Sequence, residues 1–158
     1  MSFIFTEENK KKFEAILERY PEKRAAMLPA LWLVQQQNEW ISPEAMEYVA
    51  SLLDLAPARV YEVATFYTMF NLKPIGKYHF QVCRTLSCQL CGAESITHYL
   101  KEKLGIEKLG QTSQDGRFTL SEVECLGSCG TAPMLQLNDD YHENLTPQKL
   151  DELIASLK

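Results

Sequence analysis

The chain has 158 residues, is 46% hydrophobic and carries a formal net charge of −5. It has no long basic run; this fits one globular domain or two small ones and argues against nucleic acid as the main partner. Met1-Ser2-Phe3-Ile4-Phe5 has no positive leader and runs into the charged stretch 6–12, so neither a signal peptide nor a membrane span is expected and the protein reads as cytoplasmic.

Residues 1–74 read as a succession of helices. Thr6 caps the first, with Phe13, Ile16, Leu17 and Tyr20 on one face and Pro21 ending it. A second apolar segment runs from Ala25 to Val34, with Pro29 as a start or a kink. Ser42-Pro43 and Ala56-Pro57 open two more, since proline is favoured at the first helical position. Together these form a small helical bundle. After Lys73-Pro74-Ile75-Gly76 the period changes to that of a strand, with Tyr78, Phe80 and Val82 alternating up to Cys83. A helix over Ala93 to Leu104 closes at Gly105, and Asp115-Gly116 turns into a strand over Phe118 to Cys125. Met134 to Leu137 and the segment near Tyr141 form a hairpin around Asn138-Asp139. Thr146-Pro147 starts the last helix. The expected class is α+β: a helical bundle over 1–74, then a domain over 75–158 whose strand, helix, strands, helix order is thioredoxin-like.

The chemistry concentrates in the five cysteines. An odd, clustered set in a reducing compartment reads as metal binding before disulfides. Cys83 with Cys88, and Cys125 with Cys129, are two close pairs at the exits of strands, and two such pairs can hold two linked irons. Cys91 opens alternatives. Cys83-x4-Cys88-x2-Cys91 with Cys125 is the plant-type ferredoxin spacing, and Cys88, Cys91, Cys125 and Cys129 would satisfy zinc. Cys88-x2-Cys91 also fits a thiol–disulfide enzyme. Gly92, Gly127 and Gly130 would let backbone approach a cluster. Arg84 reads as a solvated side chain, His79, His98 and His142 share no ligand spacing, and Glu122, Glu124, Asp139 and Asp140 read as solvated charges. Trp32, Trp40, Tyr61, Phe66, Tyr67 and Phe70 read first as core, with a partner interface as the alternative.

Three segments carry a resemblance. Val60 to Phe70 (VYEVATFYTMF), Cys83-x4-Cys88, and Val123-Glu124-Cys125-Leu126-Gly127-Ser128-Cys129 with Ala132-Pro133-Met134 closely resemble the E-type subunit family of NADH:quinone oxidoreductase, respiratory complex I. The resemblance covers nearly the whole chain, and related small subunits occur in NAD-linked hydrogenases and formate dehydrogenases. It implies an N-terminal helical bundle, a thioredoxin-like [2Fe-2S] ferredoxin domain and one [2Fe-2S] cluster on Cys83, Cys88, Cys125 and Cys129. It also implies a flavoprotein partner that binds FMN and NADH, whose reduced flavin gives this chain a single electron. A neighbouring iron–sulfur subunit of the peripheral arm would be a further partner. The protein would lie at the inner face of the cell membrane through the complex, with no insertion of its own. Cys91 departs from the family's ligand pattern.

Overall fold

The computed structural model describes residues 3–157; Met1 and Ser2, part of the expected leader-free start, lie outside the described residues. The chain divides into two compact units, Met1–Pro74 and Ile75–Lys158, each with its own apolar core. No helix among the described residues is long and apolar enough to cross a membrane.

The first unit contains α1 (Glu7–Leu17), α2 (Met27–Asn38), α3 (Pro43–Leu53) and α4 (Pro57–Phe66). Thr6 caps α1 by accepting from the Asn9 N–H at 3.2 Å, and Ser42 caps α3 by accepting from the Ala45 N–H at 3.2 Å. α1 stops at Leu17, short of Pro21, so Tyr20 lies past the helix and is exposed. A single 3-10 turn, Lys23–Ala26, leads into α2. Pro29 is therefore neither start nor kink: it stands third in α2, where the N–H that proline lacks would have no intrahelical partner. Phe5, Leu31, Val34, Ile41, Val49 and Val60 are fully buried at the centre.

The second unit is a mixed sheet in the order β2-β3-β1-β4-β5, formed by β1 (Tyr78–Cys83), β2 (Gln111–Thr112), β3 (Phe118–Val123), β4 (Leu135–Leu137) and β5 (Asp140–His142). The helices are α5 (Leu86–Leu90), α6 (Ala93–Leu104) and α7 (Pro147–Ser156). β1 and β3 are parallel neighbours, in register from Tyr78 opposite Phe118 to Cys83 opposite Val123. Parallel strands end at the same edge of a sheet, so this register sends both cysteine loops out side by side. β3 ends at Val123 instead of Cys125, because Glu124 and Cys125 turn away at that edge. Gly76 fixes the entry to β1: a Cβ there would meet the Arg117 backbone at 2.7 Å, closer than atoms pack. Asn138, at φ 54, turns the hairpin and accepts from the His79 N–H at 2.9 Å, joining the turn to β1.

Candidate metal centre

Cys83 is the last residue of β1, and Cys88 lies in α5, which begins three residues later. Cys125 follows β3 by two residues, and Cys129 opens the 3-10 turn Cys129–Thr131. Gly127 stands between them at φ 86, a left-handed conformation that only glycine adopts without strain. This lets its N–H turn back toward the Cys125 Sγ at 3.4 Å. Gly92 is also left-handed, at φ 95 before α6. Gly130 has neither positive φ nor a crowded Cβ position, so nothing in its surroundings requires glycine.

Cys125 and Cys129 have their sulfurs 3.7 Å apart, and the Cys83 and Cys88 thiols act on one another's ionisation. Across the pairs, Cys129 adds to the rise of Cys88, and Cys83 opposes ionisation of Cys125. Cys83 and Cys88 are buried, while Cys125 and Cys129 are exposed. Burial pushes Cys88 up to about 11, with the Cys83 thiol beside it adding to the rise. Burial also opposes ionisation of Cys83, but hydrogen bonds from Thr85, the Leu126 backbone and Cys88 outweigh it and hold Cys83 below the usual thiol value. The Gly127 N–H, then Cys129 and the Thr85 hydroxyl, draw Cys125 below that value too. Cys91 ends α5, is exposed, and belongs to neither pair.

The Cys125–Cys129 spacing suits two thiolates on one metal. Two sulfurs on one tetrahedral metal with metal–thiolate bonds of about 2.3 Å lie roughly 3.8 Å apart, close to the Cys125–Cys129 separation of 3.7 Å. Among the described residues, no group of three or more Cys, His, Asp or Glu is placed to hold a metal ion. The Gly127 N–H is directed at the Cys125 sulfur at 3.4 Å, the kind of donor that offsets the negative charge of such a group.

The other candidates fall elsewhere. His79 is buried on β1, its Nε2 2.8 Å from the Ser121 Oγ, while His98 is exposed on α6 and His142 half-buried on β5. Arg84 is not simply solvated, because its Nε and Nη2 donate to Glu124 Oε1 at 2.9 and 2.6 Å, linking the residue after Cys83 to the residue before Cys125. The core reading of the aromatic set holds for Phe70 alone, at 5% exposure. Phe66 is 76% and Tyr61 59% exposed, and Tyr67 and Trp32 also face solvent, while Trp40 is half-buried. α4 buries Val60 and Ala64 on one side, which leaves its aromatic residues on the other.

The sequence profile of the thioredoxin-like [2Fe-2S] ferredoxins matches residues 13–158. The chain belongs to that family. A relative from Rickettsia felis, the E-type subunit of NADH-quinone oxidoreductase, is 51% identical over 156 residues, covering 97% of this chain and 93% of the relative. One from Rhizobium meliloti, the second E-type subunit of NADH-quinone oxidoreductase, is 46% identical over 149 residues, covering 94% and 88%. Among solved structures, an NAD+-reducing [NiFe]-hydrogenase in the air-oxidized state superposes with a TM-score of 0.71 at 22% identity, covering 82% of this chain and 22% of that one, a likeness of fold. Family membership supports a [2Fe-2S] cluster.

Proposed function

We propose that this chain is an electron-transfer subunit of an NADH:quinone oxidoreductase and that Cys83, Cys88, Cys125 and Cys129 hold its [2Fe-2S] cluster. The paired thiols, with Cys125 and Cys129 at the separation expected of two sulfurs on one metal, carry this reading. Relatives at about half identity, named as subunits of that enzyme, support the choice of complex. When bound, the cluster supplies one-electron storage; NADH and FMN belong to a flavoprotein partner, where hydride chemistry takes place. This chain's own residues do three things. Two thiol pairs would anchor the irons, the Gly127 N–H at the Cys125 sulfur would moderate their charge, and the exposed aromatic residues of 61–67 offer the partner an apolar surface. Residues 1–74 are then the partner-binding bundle and 75–158 the cluster domain, in a protein peripheral to the membrane.

Anaerobically purified protein should contain two irons and two acid-labile sulfides per chain, with a visible spectrum that bleaches on reduction. Zinc without colour would defeat the assignment. Cys91→Ser should leave iron content and the reduced-state paramagnetic resonance signal intact, whereas Cys129→Ser should alter or abolish them. A variant lacking both thiols guards against rescue by Cys91. Loss of the cluster in Cys91→Ser, with a native signal in Cys129→Ser, would hand the site to the plant-type spacing.

A further inference from the structure

The turn that carries Cys129 is tied down from outside the cysteine motif. Cys129 is exposed and sits on one 3-10 turn, with neither strand nor long helix to hold its backbone. Ser128 and Thr131 stand on either side of it, their hydroxyl oxygens 2.7 Å apart. Both hydroxyls donate to the same atom, Oε1 of Glu143, Thr131 doing so at 2.7 Å. One carboxylate oxygen thus joins the residues on both sides of Cys129, a side-chain tether across the turn. The backbone accompanies it: the N–H groups of Asn144 and Leu145 donate to the carbonyls of Thr131 and Pro133 at 2.7 and 2.9 Å.

We propose that Glu143 is the positioning residue for Cys129, its carboxylate fixing the 128–131 turn so that the sulfur stays within pairing distance of Cys125. The proposal rests on Cys129 being a ligand. Glu143 touches not the sulfur but the residues beside it, and orients the ligand as direct partners of metal ligands do, whose loss typically costs tenfold or more in metal affinity.

The test uses the intact, cluster-loaded chain and reads the rate of iron transfer to a chelator together with the paramagnetic resonance spectrum of the reduced protein. Glu143→Ala should release iron about tenfold faster and shift the spectrum. Glu143→Gln, which still offers an acceptor to both hydroxyls, should restore both readouts to near those of the parent. In a Ser128→Ala, Thr131→Val background, adding Glu143→Ala should change release by less than about twofold, because nothing remains for the carboxylate to hold. Parent-like behaviour of Glu143→Ala overturns the proposal, as does a full effect that persists in the background lacking the hydroxyls. If Glu143→Ala does not fold, the comparison of Glu143→Gln with the hydroxyl pair decides: fast release from the pair supports the proposal and parent-like release overturns it. A parent without iron, or a native signal in Cys129→Ser, would instead remove the ligand assignment itself.

Discussion

His79 shows how the sheet of the second unit treats a titratable side chain. It lies in β1 between covered neighbours, at 8% exposure, and burial lowers its pKa from 6.5 to about 4. An unfolded chain takes up this proton near pH 6.5, while the folded chain resists until about pH 4. Between those values the unfolded state binds more protons, so folding stability is full above about 6.5 and falls as the pH drops toward 4. The complete shift corresponds to about 3 kcal/mol. Urea unfolding at pH 7 and pH 4.5 should therefore show a steeper acid loss for the parent than for His79→Gln. Equal slopes would mean that the imidazole protonates freely in the folded protein.

At the level of elements, helix starts depend on single hydroxyls. Ser42 and Thr146 each accept one backbone N–H that the helix itself leaves unpartnered, at 3.2 and 3.3 Å. Replacing either with alanine should cost about 1 kcal/mol in chemical denaturation. Glycine at the same positions should recover most of it, and a loss below a few tenths would deny the caps their role. These starts are legible in the sequence because capping is local chemistry: the acceptor, the proline after it and the apolar period all lie within a few residues. α5 and β2 are not legible in that way. Leu86 and Leu90 of α5 are 75% and 80% exposed, so their pattern does not announce a buried face, and Gln111–Thr112 is too short to alternate. The same distinction governs the site. The cysteine pairs declare themselves by spacing, whereas Glu143 meets Ser128 and Thr131 across 15 and 12 residues, a proximity that depends on the sheet and the turn together. Composition likewise gives Tyr61 and Phe66 no side; only the packing of α4 places them in solvent.

At the scale of the whole molecule, the two units have separate cores, one built from residues such as Leu31 and Val49, the other from residues such as Phe80 and Leu120. The solvent-facing aromatic residues of 61–67 belong to the first unit and the cysteines to the second. Replacing Tyr61 and Phe66 together with serine should then weaken co-purification with a co-expressed flavoprotein partner by tenfold or more, roughly the loss of two interface anchors. Iron content and helical signal should not change. Undiminished capture would move the interface elsewhere on the chain.

The separate cores also bear on damage. Oxidation strikes the thiols, whereas Leu31, Val49 and Val60 belong to the core of the first unit. If residues 1–74 supply the hold on the complex, a copy stripped of its iron keeps its seat. Such a spent copy would not fall away to be exchanged; it would occupy the place of a working one until iron was restored there or the assembly was dismantled.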